Sequence, residues 1–311
     1  MKYTQNVLKI LALKTFKGVG NAWIVKNFRP EYSDEELVEL INTTKPQNEV
    51  ITLNSFESIK QNIASKLDTT ENDNAIAFGD RYFPTCRGKV PDSQQPVVLF
   101  YKGDIKLLSK TNRNLAVIGL LEPTTNIEKV ERYVVKELVK KGITIVSGLA
   151  LGCDTIAHDE TLKNSGATVA ILPSTLQKIA PSSNAELADE IVVNGGLLIT
   201  EYFEEAKSKY EFINRYIQRD RLQALFSDGV VLSASYAPNN KGLDSGSRHA
   251  MEAAKSYGLK RAVIYNEKLH SNDVMYELNK QIAQHEGTIV INKDTFQKSI
   301  EKLIMQQVDL L

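Results

Sequence analysis

Residues 143–154 read Ile143-Thr144-Ile145-Val146-Ser147-Gly148-Leu149-Ala150-Leu151-Gly152-Cys153-Asp154, and Ala157-His158 follows shortly after. The β-branched run predicts a buried strand, the two glycines a tight turn, and residues 154–164 a helix. The same unit recurs outward in both directions. Strands are expected at 115–118, 168–172, 197–200, 229–232, 261–265 and 288–291. Helices are expected at 127–140, 185–192, 212–226, 247–257, 273–285 and 295–307. Apolar strands alternating with amphipathic helices specify a mostly parallel sheet with helices on both faces. The expected fold class is therefore α/β, a Rossmann-like domain over residues 112–311.

Upstream the pattern changes. Residues 1–67 are expected to form a small all-helical N-terminal domain. Val7, Ile10, Leu11 and Leu13 fall near one helical face, and Trp23, Ile24 and Phe28 follow Lys17-Gly18-Val19-Gly20. Ser33 with Glu36 three residues later predicts a helix start closed by a capping box. Residues 68–111 are expected to be a linker and an extension packing on the core. Thr69 to Asn74 is polar, Pro84, Pro91 and Pro96 interrupt regular structure, and 97–101 is a short strand candidate.

The 38 basic and 38 acidic residues cancel, so any nucleic-acid site must be a local patch. Cys86 and Cys153 match no metal-ligand spacing, and the four histidines do not cluster, so neither a disulfide framework nor a zinc site is expected. Lys9 and Lys14 break the apolar run near the start. No signal-peptide pattern and no uninterrupted transmembrane run are found. The expectation is a cytoplasmic protein without membrane contact.

In such a sheet a ligand sits beyond the carboxyl ends of the strands, so the loops there are the candidate site. Ser147, Gly148 and Gly152 shape a turn whose amides could hold a phosphate. Asp154 is a candidate helix cap. His158, one turn on, suits a structural or ligand-orienting role. The loop at Gly119 has a single glycine, which argues against a dinucleotide cofactor. Arg215, Arg219 and Arg221, interleaved with Tyr210, Phe212 and Tyr216, read either as cations and stacking rings for a single strand or as an ordinary solvated helix face. Ser245-Gly246-Ser247 precedes a helix, and Lys241 and Arg248 add charge to it.

On these residues the chain resembles the DprA/Smf family of DNA-processing proteins. The similarity runs over about residues 78–265. It begins with Tyr82-Phe83-Pro84 and Lys102-Gly103-Asp104, then the block from Ser147 to His158. It continues through Gly166 to Ala170, Gly196 to Glu201, Arg219-Asp220-Arg221 and Ser245-Gly246-Ser247. The chain departs from the family at three places. Gly119-Leu120-Leu121 lacks the usual arginine of Gly-Ser-Arg, Tyr265-Asn266 replaces Pro-Gly, and Ser233-Ala234-Ser235 replaces a Glu-Ala pair. Phe16 to Gly20 is similar to the hairpin of a helix-hairpin-helix.

The resemblance implies sequence-independent binding of single-stranded DNA, transfer of that strand to a RecA-type recombinase in DNA uptake and recombination, a homodimer, and no catalysis or cofactor. Its implied DNA contacts are Gly119, Ser147, Gly148, Gly152, Asp154, His158, Arg215, Arg219, Arg221, Lys241, Ser245, Gly246, Ser247 and Arg248. The alternative is a pocket that binds or hydrolyses a nucleotide derivative. That reading needs a closed pocket with Glu201 or Asp154 facing a scissile bond. The DNA reading needs an open basic groove across residues 215–248.

Overall fold

The computed structural model describes residues 3–45, 47–68, 74–238 and 246–305. Its helical N-terminal region contains α1 (Gln5–Leu13), α2 (Asn21–Asn27), α3 (Asp34–Thr44) and α4 (Leu53–Asp68). The capping box forms at α3, where the Ser33 hydroxyl accepts from the Glu36 amide and the Glu36 carboxylate accepts from the Ser33 amide. Next come β1 (Asn74–Ala77) and β2 (Val98–Gly103). The alternating part of the chain follows with β3 (Asn114–Ile118), α5 (Thr125–Lys140), β4 (Thr144–Ser147), α6 (Cys153–Lys163), β5 (Thr168–Ile171), α7 (Ala185–Val193) and β6 (Leu197–Thr200). It continues through α8 (Lys209–Leu225), β7 (Gly229–Leu232), α9 (Ser247–Ser256), β8 (Lys260–Ile264), α10 (Glu267–His270), α11 (Glu277–Ala283), β9 (Ile289–Ile291) and α12 (Phe296–Ile304).

Among the described residues one sheet carries nine strands in the order β1-β2-β6-β5-β4-β3-β7-β8-β9. From β6 to β9 every pairing is parallel. β1 and β2 close one edge antiparallel. The segment expected as linker and extension thus adds two strands to the sheet. Asn74–Ala77 has only four residues beside a polar run, too short a stretch for period-2 alternation to show. Arg87 fastens the same segment to the sheet by pairing with Asp228 and donating to the carbonyls of Ser109 and Asn112.

Alternation along the strands decides which core each side chain enters. Ala116, Ile118, Val230 and Leu232 pack with Leu222, Leu225 and Phe226 of the α8 end and Met251 of α9. Leu115, Val117, Ile145 and Val231 turn the other way, onto Val134, Val135 and Leu138 of α5 and Leu303 of α12. A third cluster joins the helical region to the sheet edge: Val7, Ile10, Trp23 and Phe56 share it with Ala75, Val98, Phe100 and Leu198. Among the described residues no helix is long and apolar enough to cross a membrane.

Strand order reverses at β3. Successive strands β4, β5 and β6 are laid to one side of it, and β7, β8 and β9 to the other. The loops after β3 and β7 must therefore part, which opens a crevice at the carboxyl ends of the strands.

Candidate nucleic-acid interface

A cleft of about 540 Å³ lies at that crevice. Its floor is Gly119 after β3, Asp154 of α6, Arg219 of α8, and Gly246 and Ser247 at the start of α9. One wall is apolar: Ile213, Tyr216 and Ile217 of α8 stand opposite Leu121. Leu121, Ile213 and Ile217 are 50%, 51% and 39% exposed, so this wall meets solvent rather than core.

Arg219 organises the floor. Its guanidinium lies 3.3 Å from the Asp154 carboxylate and 3.4 Å from that of Asp220. The side-chain oxygen of Gln223, with the amide oriented to satisfy both groups, accepts from Arg219 at 2.8 Å and from the Gly148 amide at 3.0 Å. Gly148 is required here, since a Cβ at that position would stand 1.2 Å from the Arg219 Nη1. The Arg219 Nε–H is buried and faces the Asp220 carboxylate at 3.4 Å. The guanidinium itself lines the cleft, where its charge can attract an anion. The start of α9 adds a second attraction for an anion. Gly246 caps this ten-residue helix in the left-handed conformation, its positive end lies at the cleft, and the Ser247 hydroxyl donates to the Gly119 carbonyl at 3.0 Å.

The other expected residues occupy different surroundings. Ser147 is buried and donates to the Val117 carbonyl at 2.7 Å, which commits it to the strands. Gly152, at φ 73°, caps α6, and a Cβ there would strike the Leu120 carbonyl at 2.3 Å. The cap expected of Asp154 therefore falls to Gly152. Asp154 sits one residue inside the helix and accepts from the Ala150 amide at 3.2 Å. His158 is fully buried, with Nδ1 2.7 Å from the Thr168 hydroxyl and Nε2 unpartnered. Burial, reinforced by the Arg219 charge against the opposing pull of Asp154, pushes its pKa down to about 4 and keeps the imidazole neutral. Lys241 and Ser245 lie outside the described residues.

Arg215, Arg219 and Arg221 do not form a solvated basic face; each is no more than 6% exposed. Arg215 stacks on the Tyr202 ring at 4.0 Å, pairs with Glu211 at 2.7 Å and donates to the Glu204 carbonyl. Arg221 points away toward the helical region, pairing with Glu201 at 2.8 Å and donating to the Gln94 carbonyl at 3.0 Å. Glu201 is thereby held in a structural pair rather than at the cleft. The arginine repeat was visible in sequence; its carboxylate partners come from distant segments and were not. Arg248, in the first turn of α9, lies 3.8 Å from Glu252 and is half-exposed. Tyr210 is exposed, and Phe212 meets Tyr216 edge-on at 5.2 Å.

Sequence reasoning missed the apolar wall. Ile213 and Ile217 lie in the helix expected over 212–226 but were not singled out, and both are exposed at the cleft. It also missed Glu131 of α5, buried beside the Cys153 thiol and the Ser233 hydroxyl. Burial pushes its pKa up to about 8, with Asp154 adding to the rise.

Comparison with known proteins fits this geometry. Residues 74–301 match the family model of DNA recombination-mediator protein A. The chain is 34% identical over 160 residues to DNA processing protein DprA of Bacillus subtilis, covering 51% of each. It is 36% identical over 159 residues to DprA of Streptococcus pneumoniae, covering 50% of this chain and 51% of that one. It spans about half the length of these curated relatives. Among solved structures, DprA of S. pneumoniae superposes with a TM-score of 0.65 at 23% identity, over 93% of this chain and 99% of that one, a likeness of fold. DNA processing protein A of Helicobacter pylori, described for its single-stranded DNA binding mode, gives 0.56 at 27% identity over 74% of this chain and 95% of that one. The match to the family model, extending over well more than half of the chain, makes it a member of the DprA/Smf family of DNA-processing proteins.

Proposed function

We propose that this protein binds single-stranded DNA, without regard to sequence, in the cleft where strand order reverses. The observation that carries the reading is a solvent-facing apolar wall in the same cleft as the start of α9. The Arg219 guanidinium lining the cleft and the start of α9 suit a phosphate. Ile213, Tyr216, Ile217 and Leu121 suit the faces of unstacked bases. A duplex hides those faces, so the wall favours a single strand. The domain carrying the cleft is read as Rossmann-like, with the ligand held by loops rather than by a dinucleotide motif.

Charge on the floor is limited. With Asp154 and Asp220 beside Arg219, the three carry a net negative charge when ionised, so attraction for phosphate leans on α9, Arg248 and Lys241. Each phosphate contact contributes about −0.7 to the log–log salt slope for a single strand, so a shallow slope is expected. The binding is read as non-catalytic, with the strand protected and passed to a RecA-type recombinase, the protein acting as a cytoplasmic homodimer.

Fluorescence anisotropy of a labelled oligonucleotide, single-stranded against duplex at two salt concentrations, tests the reading. Ile217→Asp places a charge on an exposed wall position without touching the core. Selective single-strand binding, weakened at least about tenfold by Ile217→Asp, supports it. Absence of binding at low salt overturns it and moves the cleft to a small nucleotide derivative.

A further inference from the structure

Residues 1–30 contain Lys2, Lys9, Lys14, Lys17, Lys26 and Arg29 and no aspartate or glutamate, although the whole chain is neutral. The fold gathers part of this excess. An open concavity of about 540 Å³ lies between the turn before α2 and the end of α3. Gly18, Gly20, Trp23, Lys26, Thr44 and Lys45 line it. Lys17 is next in sequence and exposed.

Two features separate this hollow from an ordinary solvated surface. First, its charge is of one sign: Lys26 and Lys45 line it, Lys17 adjoins it, and no aspartate or glutamate is among its lining residues. Second, its frame is fixed. The Trp23 indole donates to the Thr44 hydroxyl at 3.2 Å, and the Gln47 amide bridges the Lys17 and Lys45 carbonyls at 3.1 and 2.6 Å. Gly20 has nothing within 4 Å of where a side chain would stand, so the backbone is open to a ligand there.

The hollow also belongs to the same body as α8. Lys14 donates to Asn21 at 3.1 Å, Asn21 to the Gln95 carbonyl at 2.8 Å, and Arg221 of α8 to the neighbouring Gln94 carbonyl at 3.0 Å. Lys14 is close enough to feel the charges of Glu201 and Arg221.

We infer that this hollow is a second contact for the nucleic-acid backbone, in which Lys17, Lys26 and Lys45 receive phosphates of a strand that also occupies the cleft. The inference rests on the proposed single-strand binding. It predicts a length-dependent affinity, because a short strand reaches one contact and a long strand both.

The experiment compares strand lengths directly: dye-labelled oligothymidylates of about 10 and about 40 nucleotides, read by anisotropy over a salt series. The proteins are the full chain, Lys26→Gln/Lys45→Gln, Lys17→Gln/Lys26→Gln and Ile217→Asp, each checked by thermal melt. Both lysine pairs should weaken the long strand by about tenfold at low salt and make its slope shallower by about 1.4, while leaving the short strand unchanged. Using two pairs keeps the test valid if loss of Lys45 disturbs the turn. A long strand bound with unaltered affinity and slope by both pairs overturns the second contact alone, provided Ile217→Asp still weakens both strands. A full chain that binds neither strand overturns the cleft reading and this one together.

Discussion

Arg219 is reached by side chains from two segments, Asp154 of α6 and Asp220 and Gln223 of its own helix, with the Gly148 backbone pressed against it from the loop after β4. Gly148→Ala is expected to push the guanidinium out of this nest, because the new methyl claims the space of Nη1. Single-strand affinity should fall together with the melting temperature, and a cleft that binds normally in this variant would remove Arg219 from the floor.

Glu131 and His158 give the chain opposite pH sensitivities. Glu131 is held protonated with a pKa of about 8, above its ordinary 4.5. Its contribution to stability is complete below the ordinary value and is lost as pH rises through 8. His158 is held neutral with a pKa of about 4, below its ordinary 6.5, so its contribution is present above 6.5 and lost as pH falls through 4. Glu131→Gln keeps the shape and removes the ionisation. Chemical denaturation at pH 8 should show the variant about 2–4 kcal/mol more stable than the parent, with the gap closing toward pH 4.5. A gap of the same size at both pH values would mean that Glu131 titrates in the folded chain as it does in the unfolded one.

At the scale of elements, α8 separates what a sequence can tell from what it cannot. Its existence and span follow from periodicity. Arg215 and Arg219, one turn apart, are expected to project together and Arg221 elsewhere, yet the burial of all three is decided by Tyr202, Glu201, Asp154 and the Gln94 carbonyl, which lie 13 to 127 positions away. Arg221→Ala leaves Glu201 buried without its partner, so a destabilisation of about 3–5 kcal/mol is expected. Denaturant unfolding measures it, and a change below about 1 kcal/mol would show that solvent reaches Glu201 freely. By contrast the start of α3 was legible, because a capping box needs only residues three apart. Ser33→Ala should cost about 1 kcal/mol in the same measurement. The loops after β3, β4 and β7 were also identified as the place to look, since the carboxyl ends of parallel strands are fixed by topology alone. That topology was legible in the alternation from β3 onward; β1, four residues beside a polar run, offered no pattern to read.

For the whole molecule, the question is whether the helical region folds beside the sheet or with it. Composition suggests a separate helical piece, but the packing joins them. Val7, Ile10, Trp23, Ile24 and Phe56 are buried in one cluster with Ala75, Ala77, Val98 and Phe100 of the edge strands. Tyr3 bridges to Ala75, and Thr4 and Asn6 both donate to Asp80 beyond the end of β1. Removing residues 1–73 would uncover that face of β1 and β2, an apolar surface of the kind that drives aggregation. A chain beginning at Asn74 should therefore melt at a lower temperature than the parent or fail to remain monodisperse on size-exclusion chromatography. A truncated chain with a parental melting temperature would show that the sheet holds itself together and that the helices are an appendage. The expected outcome constrains how binding can be dissected. Because the basic hollow and the cleft share one folded body, their contributions must be separated by point substitutions at Lys17, Lys26, Lys45 and Ile217, since a deletion would lower affinity whether or not the helices touch the strand.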